Sequence, residues 1–317
     1  MPIDLCIVIV NWNGGQFLRR CIESVKLSPP KVSWEIVVAD NASTDESLTW
    51  LRPLAANAES KIRLIENAEN VGFGKANNQA IAGSESPLLL LLNNDTEVTP
   101  GAIDLLIRTL SSDESIGACG PRLINPDGSL QVSAWRNPPK AWEILISGLR
   151  IYKLMPRKFR GELLLGRHWD HARRRPVGML SAAAILIRSA VITEIGAFDE
   201  RFHMYAEDDE WCLRAVRAKW QLVFEPGAVV MHHGGAGAMA RWSSLDRQLR
   251  IIDEGLRFQR YSLSRTHLIG NLLAYSFVLF LAHSWNKVSG GPVVETKRKF
   301  GLYLDHLKGA VRKKSTE

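Results

Sequence analysis

A few acidic and imidazole side chains in this chain are placed where they could bind a ligand or accept a proton. Asp95 follows two asparagines, four acids fill positions 207–210 without a break, and His232 stands beside His233. Carboxylates and imidazoles are common general bases, and imidazole is also the commonest metal ligand. Each also has a structural explanation. Asp95 could cap a helix, the acids suit the positive end of a helix dipole, and a histidine pair at a strand end is usually solvated.

The first hundred residues contain the elements that would have to position these side chains. Four short aliphatic runs are predicted strands: Leu5–Val10, Ile36–Ala39, Ile62–Ile65 and Leu88–Leu92. Segments between them carry apolar residues at helical spacing. This alternation predicts an α/β fold, with a doubly wound, mostly parallel sheet that has helices on both faces.

Polar residues follow each of the four predicted strands, and sheets of this kind bind ligands beyond the carboxyl ends of their strands. The four clusters are Asn11-Trp12-Asn13, Asp40-Asn41 with Ser43, Asn70-Val71-Gly72 and Asn93-Asn94-Asp95. One cluster alone would be ordinary turn chemistry. Four clusters at one edge of one sheet predict a ligand site.

The alternation of predicted strands and helices is less regular beyond Gly101. The turn sequence Asn125-Pro126-Asp127-Gly128 predicts a hairpin. Apolar runs predict strands over Met179–Ile187 and Ala228–Met231, and the acids at 207–210 open a predicted helix over Glu207–Ala218. The basic stretch 135–175 has no clear assignment and is expected to be a mobile loop or an insertion.

Cysteine usage and the N-terminus favour a protein that stays inside the cell. The four cysteines lie far apart and form no C-x-x-C pair, which predicts buried thiols in a reducing compartment. The first residues lack the basic region and cleavage site of a signal peptide, so export is not expected.

The formal net charge of +7 is concentrated at the C-terminal end. Residues 246–317 hold 13 Lys and Arg against 6 Asp and Glu, whereas residues 1–245 hold 27 of each. A second basic stretch, from Arg150 to Arg175, holds 9 basic residues against 2 acids. This placement predicts contact with an anionic surface or a phosphate-bearing partner. No recognised nucleic-acid motif accompanies the charge, so nucleic acid is not the expected partner.

The C-terminal region also contains an uncharged segment. Thr266–Asn286 has no Lys, Arg, Asp or Glu, but its apolar centre, Leu268–Ala282, is only 15 residues long. A spanning helix needs about 20 apolar residues. We therefore expect interfacial or re-entrant attachment first, a membrane span second and a buried core helix third. Flanking Arg265 and Lys287 favour anionic lipid headgroups.

Short motifs in this chain also occur in a recognisable order. They are Val10-Asn11-Trp12-Asn13-Gly14, Val38-Ala39-Asp40-Asn41-Ala42-Ser43-Thr44-Asp45, Asn70-Val71-Gly72-Phe73-Gly74, Leu91-Leu92-Asn93-Asn94-Asp95, Gly196-Ala197-Phe198-Asp199-Glu200 and Met204-Tyr205-Ala206-Glu207-Asp208. The ordered set resembles the family 2 inverting glycosyltransferases of the GT-A fold, in the branch with bacterial rhamnosyltransferases and galactofuranosyltransferases. The resemblance covers about residues 3–240.

The resemblance implies an organisation and an activity. Residues 1–100 would form the nucleotide-sugar-binding half, residues 101–245 the acceptor and catalytic half, and residues 246–317 a helical, membrane-associating tail. The enzyme would transfer a sugar from a nucleotide diphosphate to a lipid-linked or polysaccharide acceptor at the cytoplasmic face of a membrane. The first expected donor is dTDP-L-rhamnose, and UDP sugars, including a galactofuranosyl donor, are alternatives.

The resemblance also implies how the donor would be held. Asp40 would accept a hydrogen bond from the imide N–H of uracil or thymine, with Trp12 packed beside the base. Asn93 or Asn94 would hold the ribose. The other residues assigned to nucleotide-sugar binding are Asn11, Gly72, Lys75 and Asp95.

A divalent metal ion is the implied cofactor. Asp95 corresponds to the last acid of the family's D-x-D motif and would bind Mg²⁺ or Mn²⁺ together with the diphosphate. Because asparagines stand at positions 93 and 94, Asp95 is the motif's one carboxylate, and another ligand must complete the shell. His232 corresponds to a position that supplies such a ligand, and His233 is its adjacent competitor.

The implied general base is Asp208, which corresponds to the aspartate of the family's Glu-Asp motif. An inverting transfer needs one base to deprotonate the acceptor hydroxyl during in-line attack. The family commonly has Glu-Asp-x-Asp, whereas this chain has acids at all four positions of 207–210. Adjacent helical residues differ in direction by about 100°, so Asp208 and Asp209 cannot both face the site equally.

Three other function classes compete with this interpretation. A non-catalytic nucleotide-sugar or glycan-binding relative is disfavoured because Asp40, Asp95 and Asp208 are all present. An NAD-type oxidoreductase is disfavoured because the first turn lacks G-x-G-x-x-G. Nucleic-acid binding is suggested by the pI of about 9.3, but the charge accompanies an apolar segment, which favours lipid.

Overall fold

The computed structural model describes residues 2–135, 138–164, 166–202, 204–234 and 243–312. These residues fall into two compact units. The core unit comprises Met1–Trp135 and His171–Arg241, and the helical unit comprises Arg136–Asp170 and Trp242–Glu317. The last glycine of the His-His-Gly-Gly sequence at 232–235 and the final five residues of the predicted tail lie outside the described residues.

The helices and strands are numbered here in chain order. The first half contains β1 (Leu5–Asn11), α1 (Gly15–Leu27), β2 (Trp34–Asp40), α2 (Ser47–Ala56), β3 (Ile62–Glu66), α3 (Phe73–Ala82), β4 (Leu88–Asn93), β5 (Thr96–Val98), α4 (Ala102–Ser111), β6 (Ile116–Ile124), β7 (Leu130–Gln131) and β8 (Ala134–Trp135). The second half contains α5 (Ala141–Gly148), α6 (Arg157–Leu164), β9 (Arg175–Val177), β10 (Met179–Leu180), β11 (Ala184–Arg188), α7 (Ser189–Ile195), α8 (Glu207–Arg217), β12 (Gln221–His232), α9 (Ser244–Ser262), α10 (Arg265–Ser289) and α11 (Val293–Arg312).

The main sheet of the core unit has the strand order β3-β2-β1-β4-β11-β6-β12-β5. The first four strands pair in parallel, as the apolar runs predicted. β11 then runs antiparallel to both β4 and β6, and β12 runs parallel to β6. The sheet is therefore mixed, and its parallel half lies where the strand–helix alternation occurs.

Burial explains the continuous aliphatic runs of β1 and β4. Every residue of β1 is buried, and the core of the unit combines side chains of β1, β2 and β4 with those of α1 and α4. Fully burying one such side chain contributes about 1.5–3 kcal/mol, so these positions favour aliphatic residues. Leu18, Cys21, Ile22 and Val25 form the buried face of α1 at the spacing of a helix.

A hairpin brings the start of β7 beside the carboxyl end of β12. Leu123 pairs with Gln131 and Ile124 with Leu130, so the hairpin predicted from the turn sequence is confirmed. Gly128 has φ 78°, a left-handed conformation that glycine adopts without strain. Since Ile124 also pairs with Met231 of β12, the hairpin lies next to His232.

All four cysteines are buried free thiols, as their spacing predicted. Burial raises the pKa of Cys6 to about 11 and the pKa of Cys21 to about 12. A thiol with so high a pKa is almost entirely un-ionised at neutral pH, so these side chains are poor nucleophiles.

The helical unit is built around α10, which packs against α5 and α11. Its core contains Leu256, Leu268, Leu272, Tyr303 and Ala310. The buried Asn271 Nδ2 donates to the Pro139 carbonyl at 2.8 Å and to Gln259 Oε1 at 3.0 Å. Part of the stretch 135–175, which had no assignment from sequence, therefore forms helices within this unit. By length and composition, α10 is also apolar enough to cross a membrane.

Candidate active site

The carboxyl ends of the parallel strands carry the polar clusters that the sequence singled out. Asn11 at the end of β1 pairs with Asp40 at the end of β2, and Val10 pairs with Asn93 at the end of β4. The cluster after β3 joins through Asn41, whose Nδ2 donates to the Gly72 carbonyl at 3.2 Å. Parallel register thus places all four clusters along one edge of the sheet.

Asp40 is fully buried at this edge and is held by three donors. Its Oδ1 accepts from the Ser43 backbone N–H at 2.8 Å, and its Oδ2 accepts from Asn11 Nδ2 at 2.8 Å and Ser43 Oγ at 2.7 Å. A carboxylate offers about four acceptor positions. One position of Asp40 is left for a further donor.

Asn11 connects Asp40 to the cluster after β4. The Asn94 Nδ2 donates to Asn11 Oδ1 at 2.9 Å, so a continuous set of hydrogen bonds runs from Asp40 to Asn94. Gly14 must be glycine, because a Cβ there would lie 2.3 Å from Asn11 Oδ1 and 2.5 Å from Asn94 Nδ2. Trp12 lies half-buried in the same loop.

The loop between β1 and α1 is fixed to the loop after β2. Asn13, in a left-handed conformation with φ 51°, accepts at its Oδ1 from the Thr44 N–H at 2.7 Å. Its own N–H donates to Ser43 Oγ at 2.9 Å. Asparagine tolerates this backbone conformation better than most residues. The two loops therefore form one rigid wall of the candidate site.

Asp95 and His232, which are far apart in sequence, meet at the end of the sheet. β5 pairs with β12 so that Thr96 faces His232, and the Asp95 Oδ1 lies 3.1 Å from His232 Nε2. Asp95 is buried, with 4% of its surface exposed. Asn93 Nδ2 is also 3.3 Å from His232 Nε2. Three residues predicted to bind the donor or metal are therefore brought together.

Gln131 fixes which nitrogen of His232 carries the proton. Its Nε2 donates to Asn125 Oδ1 at 3.1 Å, which leaves its Oε1 to accept from His232 Nδ1 at 2.6 Å. With the proton on Nδ1, a neutral imidazole presents the lone pair of Nε2 to the Asp95 carboxylate. In this form Nε2 and the Asp95 carboxylate are two acceptors side by side, an arrangement that a bound cation stabilises, as a second proton on the ring also would.

The donor atoms of this pair fit a divalent cation. A carboxylate oxygen and a neutral imidazole nitrogen both ligate first-row divalent metals, and a hydrogen bond to the other ring nitrogen is the usual support for a ligating histidine. Within the described residues no group of three or more His, Cys, Asp or Glu side chains forms a metal cage. A diphosphate and water would have to supply the remaining ligands.

His233 has different partners from His232. Its Nε2 lies 2.8 Å from Glu97 Oε1, and its ring packs against Phe17 with centroids 5.0 Å apart. Its backbone N–H donates to the Asp95 carbonyl at 2.9 Å, so it supports the position of Asp95 through the main chain. Of the two histidines, the geometry favours His232 as the ligand.

Asp208 lies in the first turn of α8, which follows two residues in left-handed conformation, Tyr205 with φ 72° and Ala206 with φ 68°. Its Oδ2 accepts from the Ala182 N–H at 3.2 Å and its Oδ1 from the Asp209 N–H at 3.0 Å. The neighbouring Ala183 carbonyl accepts from the Asn93 N–H at 2.9 Å. One short segment therefore links Asp208 to the edge that carries Asn93.

Asp209 is half-buried beside Asp208, but it has another hydrogen-bond partner. Burial, followed by the charge of Asp208, raises the pKa of Asp209 well above its ordinary value, against a hydrogen bond with Trp135. Burial also raises the pKa of Asp208, and its hydrogen bonds to backbone N–H groups limit the rise. The pair therefore favours a state in which one carboxyl group keeps its proton.

This carboxyl pair leads to a prediction about stability. A folded-state pKa above the unfolded value means that stability falls as pH rises through the interval between the two values. Asp209→Asn imitates the protonated form, so the melting temperature of this variant should exceed that of the parent at pH 8. In a domain of this size, each 1 kcal/mol gained in the free energy of unfolding raises the melting temperature by about 2–4 °C. This difference in melting temperature should shrink as the pH falls towards 3.8, the ordinary pKa of aspartate. Calorimetry across this pH range checks it, and a pH-independent difference would contradict it.

Gly72 and Lys75 lie at the start of α3. Gly72 caps the helix with φ 93°, and its N–H donates to Asn70 Oδ1 at 3.1 Å. The Lys75 side chain is exposed in the first helical turn and makes no hydrogen bond or ion pair with any described residue. The structure thus places Gly72 at the site edge through Asn41, whereas it gives Lys75 no contact with the other site residues.

Comparison with known proteins identifies the family. The model of glycosyl transferase family 2 matches residues 6–170. N-acetylglucosaminyl-diphospho-decaprenol L-rhamnosyltransferase from Mycobacterium tuberculosis is 32% identical over 248 residues, which cover 72% of this chain and 76% of the relative.

Solved structures show the same fold at low sequence identity. The mannosyltransferase PcManGT from Pyrobaculum calidifontis, in complex with GDP-Man and Mn²⁺, has a TM-score of 0.60 at 12% identity, over 99% of this chain and 87% of that one. TarS from S. aureus, in complex with UDP-GlcNAc, has a TM-score of 0.57 at 16% identity, over 98% and 82%. As its ordered motifs predicted, the chain belongs to glycosyl transferase family 2 and is a glycosyltransferase with a GT-A-like fold.

Proposed function

We propose that this glycosyltransferase is metal-dependent and inverting, and that it transfers L-rhamnose from dTDP-L-rhamnose to a lipid-linked acceptor at the cytoplasmic face of a membrane. The observation that carries the proposal is the meeting of Asp95 and His232 beside the nucleotide-binding edge of the sheet. The rhamnosyltransferase from M. tuberculosis, whose name specifies a lipid-linked acceptor, supports the choice of sugar and acceptor. UDP sugars are the alternative donors.

The donor would lie along the edge defined by Asp40 and Asn94. The free acceptor position of Asp40 suits the imide N–H of thymine or uracil, and the half-buried Trp12 would pack beside the base. Asn93 and Asn94 would face the ribose. Asn11 and Gly72 would shape the pocket, and Lys75 could reach a phosphate from its exposed position.

Asp95 and His232 would hold Mg²⁺ or Mn²⁺. A bound ion would supply charge stabilisation for the leaving nucleoside diphosphate. The complex of PcManGT with Mn²⁺ supports a divalent ion in this fold.

Asp208 would remove the proton from the acceptor hydroxyl. Two backbone N–H groups orient its carboxylate, so the side chain keeps one direction during the reaction. Burial raises its pKa, and a base with a pKa nearer to the working pH accepts a proton more effectively. A single base is what an inverting displacement requires.

A donor panel tests the function directly. Purified protein with Mn²⁺ or Mg²⁺ should release nucleoside diphosphate from dTDP-L-rhamnose faster than from UDP-galactofuranose, UDP-GlcNAc or GDP-mannose, and a polyprenyl-diphosphate-linked sugar should accelerate the release. Preference for a UDP sugar would move the assignment to the alternative donors. No release from any donor, despite donor binding, would point to a non-catalytic relative.

Gln131 provides a test of the metal site that does not depend on activity. Gln131→Leu removes the acceptor that holds the His232 proton on Nδ1, so Mn²⁺ affinity should fall by about 10–100-fold. Gln131→Glu keeps an acceptor oxygen and should restore much of the affinity. Electron paramagnetic resonance of free Mn²⁺ in a titration measures both.

The matched control is a second glutamine in the main sheet of the core unit. Gln221, at the other end of β12, donates to Ser115 Oγ at 2.7 Å, away from His232. Gln221→Leu should leave Mn²⁺ affinity unchanged. Equal losses in the two leucine variants would mean that Gln131 acts only through general stability.

The membrane part of the proposal rests on the helical unit. Its chain carries the basic excess of residues 246–317 and the part of the second basic stretch that lies between Arg150 and Asp170. Anionic lipid attracts such surfaces by about 1 kcal/mol for each basic residue close to it. We propose that this unit holds the enzyme at the membrane where its lipid-linked acceptor resides, and that nucleic acid is not a partner.

A further inference from the structure

One side of α10 is an exposed apolar face. Its members recur at helical spacing and are each at least 40% exposed: Leu273, Phe277, Phe280, Leu281, Trp285 and Val288. We call these residues the α10 face. Thr266–Asn286 contains no Lys, Arg, Asp or Glu, so no charge interrupts the face before its last turn. Large exposed apolar patches mark interaction surfaces.

The opposite side of α10 is packed inside the helical unit. Leu268, Leu272 and Asn271 are buried there, and the Asn271 amide bonds Gln259 and the Pro139 carbonyl. Arg265 at the start of α10 donates to the carbonyls of Ala310 and Val311 in α11. The helix therefore has one free side and several occupied ones.

These contacts oppose a transmembrane orientation of α10. α11 packs along α10 and carries Lys297, Arg298 and Lys299, and α9 carries Arg257 and Arg260. Charged side chains are costly in the hydrocarbon centre of a bilayer. If α10 spanned the membrane with its packing intact, these neighbours would be drawn into the hydrocarbon. If it spanned alone, the buried contacts would have to separate.

A basic and apolar segment lies beside α10. A Cβ on Gly148, at the end of α5, would come within 2.5 Å of Val278 Cγ1, so the turn that follows α5 begins against α10. In that turn Leu149, Ile151 and Leu154 are exposed, and they alternate with exposed Arg150 and Lys153. Neither basic side chain makes an ion pair within the described part of the chain. Apolar residues interspersed with free basic ones fit an interface with anionic headgroups.

We propose that the α10 face inserts into one leaflet of an anionic bilayer, with α10 parallel to the membrane plane and Arg150 and Lys153 on the headgroups. This inference deepens the membrane attachment proposed above by naming the surface, the orientation and the lipid charge. Its test uses no donor, metal or turnover. The membrane proposal can therefore be wrong while the proposed transferase activity is right, and the activity can be wrong while the membrane proposal is right.

Vesicle binding tests the surface. The full chain should sediment with vesicles of phosphatidylcholine mixed with phosphatidylglycerol, and more weakly with phosphatidylcholine alone. Phe277→Glu combined with Phe280→Glu should lower binding to both by at least about tenfold, because it places charge in the apolar boundary. Arg150→Gln combined with Lys153→Gln should remove mainly the preference for the anionic vesicles.

A matched control lies in the core unit. Leu27 at the end of α1 is 86% exposed, so Leu27→Glu makes the same chemical change at another exposed apolar position. It should bind vesicles as the parent does. If Leu27→Glu and the double phenylalanine variant bind alike, the α10 face is not the membrane surface and the proposal fails.

Depth measurements test the orientation and avoid the risk that a charged variant misfolds. The native cysteines are buried, so a cysteine introduced by Leu273→Cys or Trp285→Cys can be labelled selectively with an environment-sensitive dye. Quenching by lipids that carry quenchers at known depths should place both dyes at the same shallow level. Twelve residues rise about 18 Å along a helix, so a depth difference approaching that length would establish a span and overturn the proposal.

The same dyes detect a competing occupant. A second copy of the chain could cover the α10 face instead of lipid. In that case the dyes would shift to an apolar environment as protein concentration rises without vesicles, and sedimentation would show a dimer. We expect a monomer whose dyes respond to anionic vesicles, and a concentration-dependent shift without lipid would overturn the assignment.

Discussion

Asp208→Asn should lower turnover by at least about 10²-fold, the contribution that a general base typically makes. The amide keeps the size of the side chain, and its carbonyl oxygen can replace one of the two carboxylate oxygens that accept from the N–H groups of Ala182 and Asp209. It cannot accept a proton from the acceptor hydroxyl at neutral pH. Because Asp208 has no part in the proposed metal site, metal-dependent donor affinity should change by less than about threefold, a limit below 1 kcal/mol.

The measurement needs the acceptor, because slow hydrolysis of the donor does not require deprotonation of a sugar hydroxyl. kcat with acceptor and the Kd of the donor in Mn²⁺ together separate chemistry from binding. A loss of donor affinity as large as the loss of kcat would show that Asp208 holds the donor instead.

Asp209→Asn is the comparison variant. It should cost much less in kcat. Because the charge of Asp208 raises the pKa of Asp209, whereas burial raises that of Asp208, the acidic limb of the pH–rate profile should stay close to that of the parent. A large shift of this limb would show that the charge of Asp209 controls the base. If Asp209→Asn were inactive and Asp208→Asn nearly normal, the base would be Asp209, held by Trp135.

Asp95→Ala should weaken donor binding in Mn²⁺ by at least about 10²-fold, since even a residue that only supports a metal ligand typically contributes 10–100-fold. In EDTA the same substitution should change donor affinity little, because the carboxylate is proposed to act through the ion. Calorimetric titration of the nucleotide diphosphate, with Mn²⁺ and with EDTA, measures the difference.

The two histidines provide the control for this experiment. His232→Ala should show the metal-dependent loss more mildly than Asp95→Ala, since a water molecule can replace one ligand. His233→Ala, which removes the contacts with Glu97 and Phe17, should leave the metal dependence intact. Equal donor affinity with and without metal in the parent protein would remove the argument for the ion.

The parallel half of the sheet could be predicted from the sequence because its signals are local. Continuous aliphatic runs mark strands that are covered on both faces, and polar residues directly after them must lie at one edge. The direction of β11 had no such signal. A short apolar run gives no information about its orientation, which is decided by pairing with β4 and β6 on either side.

The pairing of Asp95 with His232 could be inferred only from the resemblance, because 137 residues separate them and a strand pair, β5 with β12, brings them together. Gln131 was missed for the same reason. Its only local signal was its place after a hairpin turn, and a glutamine there is usually solvated. Its hydrogen bond with His232 depends on the neighbouring strands β6, β7 and β12.

The helical unit was the part least visible in the sequence. The helices α5 and α6 have only eight residues each, too few for a helical period to stand out. α5 is stabilised by contacts with α10, more than a hundred residues away, such as that of Gly148 with Val278. Local patterns cannot report contacts of this kind.

The insertion of β11 between β4 and β6 has a consequence for engineering the enzyme. The resemblance implies donor and acceptor halves at residues 1–100 and 101–245, yet Ala184 pairs with Leu92, so the two halves share one ladder of the sheet. A graft of either half from a relative must reproduce this register. Because side chains alternate across a strand, a slip of one residue would turn the inward side chains of β11 outward and displace the segment that anchors Asp208. Donor preference is therefore better altered by exchanging side chains along the edge than by exchanging halves.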